Sequence, residues 1–268
     1  MIFNFKFAVE CIPQMLSALP ITLLLTLIGL IFSTIFGFLL AMARIHKVKF
    51  WGRFAQVYLA IMRGVPIMVQ LYLVFVALPI AVQSIAASMG HDGYVDVPPM
   101  LIAAVALSMN YTAYMSEVIR AAIQSVDFGQ QEAALSIGMT NAQMMRRVVI
   151  PQALVEAIPN LGNTFIGLIK DTSLAYMVMV MDIMGMAKKL AGAGLNFLET
   201  YVVAALIYWG LNFCLERIFG AWEKKASFYT RPSRNPRIPA RQDVVKMEAE
   251  EPEQKIQPVI GTAAKAKA

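Results

Sequence analysis

Glu132-Ala133-Ala134-Leu135-Ser136-Ile137-Gly138, followed by Ile150-Pro151, lies in a polar gap between two long apolar segments. It reads as a short amphipathic helix, a glycine stop, a second short helix and a proline. Gly138 offers the left-handed conformation that ends a helix. Thr140, with Gln143 three residues on, forms a capping-box pattern for the next helix. Arg146 and Arg147 fall in that helix's last turn, where cations complement the dipole. Ala133 and Ala134 present a small face that another surface can approach closely. A membrane protein rarely needs an ordered helix pair in a loop unless something docks there. The docking residues expected are Glu132, Ala133, Ala134, Ile137, Gly138 and Met139. The alternative is a solvated loop with incidental helicity.

The flanks of this loop define the class. The chain has 268 residues, 58% hydrophobic and 15% charged, with a mean hydropathy of +0.61. That is far more apolar than a soluble domain, and several runs approach or exceed the ~20 residues that span a bilayer. The expected fold is all-α, a polytopic membrane protein with about five transmembrane helices. Cys11 and Cys214 show no metal or redox spacing, and His46 and His91 sit in different loops, so no metal site is expected. The formal charge of +6 clusters beside the apolar runs. It reads as orientation signal and contact with membrane lipid, not as nucleic-acid binding.

Residues 1–19 are expected to form an interfacial segment and residues 20–220 the transmembrane domain, with the docking loop at 124–151. The first apolar run is expected to be retained, since Pro13 and Pro20 interrupt the segment before it and no cleavage site follows an isolated apolar core. Spans are predicted at 21–43, 56–86, 100–123, 153–186 and 199–219. Gly64, Pro66 and Pro79 mark irregularities in the second. The fourth is interrupted by Pro159, Gly162, Gly167 and Lys170-Asp171. Basic residues from Arg44 to Arg53 assign their loop to the cytoplasm, which puts the N-terminus outside and the C-terminus inside. Lys188 and Lys189, placed outside, run against this orientation. Residues 221–268 are expected to form a disordered cytoplasmic tail, rich in proline and charge.

No nucleotide-binding loop, metal spacing or nucleophile elbow is present. This chain is expected to be non-catalytic and to bind no cofactor; if ATP drives it, another subunit binds the nucleotide. Ionisable residues inside apolar spans are costly and mark function. Asn110, Tyr114 and Glu117 fall at i, i+4 and i+7, on one helical stripe, where Glu117 suits a substrate ammonium. An interfacial Glu117–Arg120 pair is the competing reading. Lys170, Asp171 and Thr172 form a second cluster. Asp171, Thr172 and Ser173 start a new helix after a break, whose N-terminus would suit a substrate carboxylate, or they mark a structural break that packs the subunit interface. The methionines from Met177 to Met186 read as packing.

The resemblance runs well beyond the loop. The glutamate-to-proline stretch is similar to the "EAA" coupling loop of ATP-binding-cassette (ABC) importer permeases. Met62-Arg63-Gly64-Val65-Pro66-Ile67-Met68-Val69-Gln70-Leu71 resembles the "FRGTPLLVQL" segment of the polar-amino-acid subfamily. Ala106 to Asn110, Ala113-Tyr114 and Glu117 to Arg120 resemble its third span, and Lys170-Asp171-Thr172-Ser173-Leu174 its fourth. The resemblance covers residues 16–219 and implies an ABC type I importer permease fold. It also implies a second permease subunit (the same chain or a relative), a cytoplasmic ABC ATPase dimer carrying ATP and Mg, and an extracellular solute-binding protein. It places Asn110, Tyr114 and Glu117 near the substrate path, in a bacterial cytoplasmic membrane. The stretches 181–185 and 198–201 look more like cystine-type than arginine-type permeases. The alternative is an ion-coupled secondary amino-acid transporter. It explains the buried charges but not the loop, and no internal repeat supports it.

Overall fold

A computed structural model describes residues 3–230. Among the described residues the chain forms ten α-helices and no strand. α1 (Phe5–Leu16) precedes α2 (Leu19–Ile45), α3 (Lys49–Gly64), α4 (Ile67–Ser88) and α5 (Pro99–Gln124). Then come α6 (Phe128–Ser136), α7 (Asn141–Met144), α8 (Ile150–Thr172), α9 (Ile183–Gly194) and α10 (Phe197–Thr230). α2, α4 and α10 as far as Ala226 are each long and apolar enough to cross a bilayer. α5 and α8 pack between them, which lets them carry polar residues away from lipid.

Small residues make that packing possible. Apart from Leu25, the buried face of α2 is small: Thr22, Thr26, Gly29, Ser33, Gly37 and Ala41, at helical spacing. A methyl group on Gly37 would lie 2.8 Å from Met115 Cβ, and one on Gly29 would lie 3.3 Å from Leu168. Close approach through small side chains is how helices associate where lipid removes the hydrophobic drive. The opposite face of α2, with Leu24, Leu27, Ile31 and Ile35, is exposed and suited to lipid.

The second predicted span is two helices. Val65 is extended, as the residue before a proline prefers, so α3 ends at Gly64 and α4 starts at Ile67. Pro79, by contrast, stays inside α4. The broken helix end is repaired from the side. Gln70 Nε2 donates to Met62 O (2.9 Å) and Val65 O (2.8 Å), and Asn110 Nδ2 donates to Met62 O (3.1 Å).

The fourth span differs more. α7 passes through a π turn, Met145–Val149, directly into α8. The second loop helix is therefore the N-terminal extension of a long rod, and Pro151 sits harmlessly in the first turn of α8. Pro159, Gly162 and Gly167 do not interrupt it; the helix ends at Thr172. Lys170, Asp171 and Thr172 thus close a helix and do not start one. After a 3-10 turn at Ala175–Val178, the next α-helix, α9, is capped by Asp182, whose carboxylate accepts from Gly185 N at 2.8 Å and from Tyr208 OH at 3.0 Å. A methyl group on Gly185 would lie 2.5 Å from Val180 O, so this turn tolerates only glycine.

α1 does not lie apart from the bundle. Ala8, Cys11 and Met15 are buried against α9 and α10, and Asn4 N donates to Glu199 Oε1 at 2.7 Å. α9 meets the start of α2, where Ile183 N donates to Thr22 Oγ1, while Ile45 and His46, at the other end of α2, line one pocket with Phe128, Asn141 and Met144 of the loop helices. Lys188 and Lys189 are therefore at the end opposite the loop helices, with Lys188 Nζ 4.7 Å from the Tyr176 ring centroid. Helix α10 continues to Thr230, so residues 221–230, assigned to the tail, are helical. The rest of that tail lies outside the described residues.

Candidate functional site

The stripe on α5 faces the broken end of α3. Asn110 is 3% exposed and holds Met62 O and Gln70 Oε1. Tyr114, one turn on, stands with its ring centroid 5.9 Å from the Arg63 guanidinium. Glu117 completes the stripe but does not stand free. Its Oε2 accepts from Arg120 Nε at 2.7 Å and from Arg44 NH1 at 3.2 Å. Its Oε1 accepts from Arg44 NH2 at 3.4 Å and lies 3.8 Å from Arg63 NH1. Arg120 reaches on to Gln124 Oε1.

The Glu117–Arg120 pair is therefore real, but it is one part of a cluster with three guanidiniums around one carboxylate. Formal charge is left in surplus on the arginine side. Arg44 and Glu117 are well covered, whereas the Arg63 side chain is 50% exposed. Arg63 lines a polar cavity of ≈ 470 Å³ with Arg44, Gln56, Ala60, Gly64 and Glu117. The group in the cluster with capacity left for an anion is Arg63. Sequence reasoning missed this role for Arg44 and Arg63, reading the first as a topology signal and the second as part of a motif.

A second arm runs from α8. Tyr111 OH donates to Asp171 Oδ2 at 2.7 Å, and the Tyr111 and Tyr114 rings are 5.7 Å apart. Asp171, Tyr111, Tyr114, Arg63 and Glu117 thus form one contiguous polar chain. Lys170 is exposed and makes none of these contacts. Thr172 is buried, and its hydroxyl bonds back to Ile169 O at 2.6 Å. That satisfies it locally and leaves it no donor for a solute.

The loop helices form beside the C-terminal ends of α2 and α5. Asp127 caps α6 by accepting from Gly129 N at 2.6 Å. Gly138 adopts φ +85° with nothing near its missing side chain, so it is required by conformation and not by space. The capping box is complete, with Thr140 N donating to Gln143 Oε1 and Gln143 N to Thr140 Oγ1. Glu132, Ala133 and Ile137 face outward, and Ile137 is 76% exposed. Ala134 turns inward, against Val126, Met144 and Val149, with Met139 half-buried on the same cluster. Of the two alanines only Ala133 faces outward, and Phe128, Leu135 and Ile137 supply an exposed apolar surface.

Residues 33–228 match the family model described as "Binding-protein-dependent transport system inner membrane component". The chain belongs to this family. As such a component, it is similar to the Probable amino-acid permease protein YxeN of Bacillus subtilis (strain 168), 37% identical over 84% of this chain and 96% of the relative. It is also similar to the L-cystine transport system permease protein TcyL of the same organism, 36% identical over 83% of this chain and 91% of the relative. Among solved structures it resembles one described as an amino acid ABC transporter with histidines. The TM-score is 0.73 at 31% identity, covering 84% of this chain and all of the other. The type I importer permease fold is shown by this match together with the all-helical architecture.

Proposed function

We propose that this inner membrane component is the permease subunit of an ATP-driven importer for a polar amino acid, of the cystine type. It works with a second permease subunit, an ATPase dimer that binds ATP and Mg, and an extracellular binding protein. Amino-acid permeases among the relatives, cystine permeases included, support the substrate class. The single observation that carries the reading is the half-exposed Arg63 beside a saturated Glu117, lining a polar cavity near the loop helices. Arg63 offers its charge to the substrate carboxylate, and Tyr114 and Gln56 offer polar contacts around it. Glu117 holds the arginines in place. That reverses the expectation that Glu117 takes an ammonium group. The exposed Phe128, Leu135 and Ile137, with Glu132 and Ala133, form the ATPase-docking face.

The N-terminus is outside and the C-terminus cytoplasmic, with the Arg44–Arg53 region inside. A reporter fused after Lys225 is expected to read cytoplasmic, and one inserted between Gly90 and Gly93 external. The functional test is uptake of a panel of labelled amino acids by cells lacking this chain, followed by ATP dependence in vesicles. Loss of one polar amino acid's uptake, restored by the chain and driven by ATP, is the expected result. Uptake driven by an ion gradient without ATP would replace this reading with that of a secondary transporter.

A further inference from the structure

One face of α8 carries no large apolar side chain along most of its length. Gln152, Glu156, Asn160, Asn163, Gly167 and Lys170 follow one another at steps of three and four residues, which puts them on a single stripe. From Gln152 to Lys170 the stripe is roughly 27 Å long, close to the ~30 Å of hydrocarbon that a membrane helix crosses. Glu156, Asn160, Asn163 and Lys170 are exposed. Among the described residues their side chains make no hydrogen bond or ion pair, whereas Gln152 Nε2 turns back onto Val148 O at 3.0 Å. The exposed apolar residues of α8, Ile150 and Leu154, lie on another face.

Lipid cannot cover this stripe, because an amide facing hydrocarbon has lost water and gained no partner. The order of the side chains along it favours a particular cover. The two amides, Asn160 and Asn163, stand at its middle. The charges stand one turn before them, at Glu156, and two turns after them, at Lys170. Two copies of one chain enter a membrane in the same orientation, so a two-fold axis between them runs along the membrane normal. Helices beside that axis are parallel, and each residue at their crossing meets its own copy. A charge there would meet a like charge. An amide both donates and accepts, so it pairs with itself. Away from the crossing the helices separate, and the charges separate with them. Amides bond across membrane helices, and a buried asparagine selects partner and register in helix pairs. The stripe also adjoins the candidate site: a methyl group on Gly167 would lie 3.1 Å from Tyr111 OH.

We infer that the α8 stripe is the seat of a second copy of this chain, joined through Asn160 and Asn163. The second permease subunit of the proposed importer is then the same chain, a step that rests on that reading. The copy seated there borders the Asp171–Tyr111 arm of the site.

The test is oxidative cross-linking in native membranes. Two differently tagged copies of the full chain are co-expressed with their transporter partners, with Cys11→Ala and Cys214→Ser to clear the background. Oxidation by copper–phenanthroline of Asn160→Cys or Asn163→Cys is expected to give a linked pair carrying both tags. Ile31→Cys, on the exposed face of α2, is expected to give none. Without oxidation, joint replacement of Asn160 and Asn163 by Leu is expected to lower recovery of one tag with the other about tenfold, and joint replacement by Gln, which keeps the amides, to lower it less. Linkage of this chain to a different permease subunit overturns the inference and, with ATP-driven uptake intact, leaves the proposed function standing. Absence of linkage at both positions overturns it too, and labelling of those cysteines by a charged thiol reagent would then assign the stripe to the solute path. Recovery unchanged by the Leu replacements overturns the amide contact.

Discussion

Arg44 and Glu117, 73 positions apart in sequence, meet at 3.2 Å where α2 and α5 end together. The two helices run in parallel to the same membrane face, and this pair ties their ends beside the docking loop. Because the same carboxylate also receives Arg120 and faces Arg63, one side chain organises three cations from three helices.

Glu117→Gln is expected to destabilise the subunit. It removes the charge-assisted partner of Arg44 and Arg120, each such bond being worth about 1.5–3 kcal/mol in net terms, and leaves three guanidiniums facing one another. Adding Arg120→Gln is expected to restore part of the loss. Thermal inactivation of the purified complex measures this. An unchanged inactivation temperature in the single variant would mean that the cluster contributes nothing to stability.

Arg63→Gln is expected to spare folding and weaken substrate. A charge-assisted contact to a carboxylate is lost, which corresponds to about a tenfold to hundredfold rise in half-saturation. Arg63→Lys is expected to recover part of it, since it keeps the charge but not the forked geometry. Substrate-stimulated ATPase activity across concentrations reads the effect. A half-saturation point unmoved by Arg63→Gln would remove Arg63 from the substrate path.

At Gly138 the expected outcome depends on conformation alone. Its φ of +85° and open surroundings predict that Gly138→Asn is tolerated, because asparagine visits the left-handed region. Gly138→Val is expected to cost about 1–2 kcal/mol locally, to disorder the turn between α6 and α7, and to release the ATPase. Co-purification of the ATPase is the readout. Equal retention by both variants would show that the turn's geometry is unimportant for docking.

Gly37→Ala is expected to prevent stable assembly of the bundle. The added methyl group meets Met115 Cβ at 2.8 Å and Ser116 N at 2.9 Å, and the second of these is backbone that cannot rotate away. Ser33→Ala, on the same face of α2, removes only a hydroxyl that bonds to its own helix at Leu30 O, and is expected to be near neutral. Yield and monodispersity after extraction compare the two. Normal behaviour of Gly37→Ala would mean that α2 and α5 separate without cost.

The apolar runs and the glycine-plus-capping-box loop were readable because each signal is local. Hydrophobicity marks the spans, and Gly138 and Thr140 act within a few residues of themselves. The Arg44–Glu117 contact was unreadable, since nothing near either residue names its partner. Asp171-Thr172-Ser173 misled for a related reason. Such residues cap helix starts, but they also bond backward to a preceding turn, and Thr172 and Ser173 do the second here. Arg146 and Arg147 read as the last turn of the second loop helix, yet the π turn there keeps the helix running into α8, and a first-turn proline at Pro151 has no amide to miss. Val65-Pro66 is the opposite case, where the extended residue before proline does end a helix.

The continuity of α7, the π turn and α8 has a mechanical meaning. From Asn141 to Thr172 the chain is one shaft, roughly 48 Å long at ~1.5 Å per residue. One end is seated among the loop helices, and the other ends on Asp171, joined to Tyr111 at 2.7 Å. Pressure on the loop cannot be absorbed by a flexible linker, because none lies between. It arrives at Tyr111 as a tilt, with the wider π coil and the turn that Pro159 deprives of a hydrogen bond as the places along the shaft that can give.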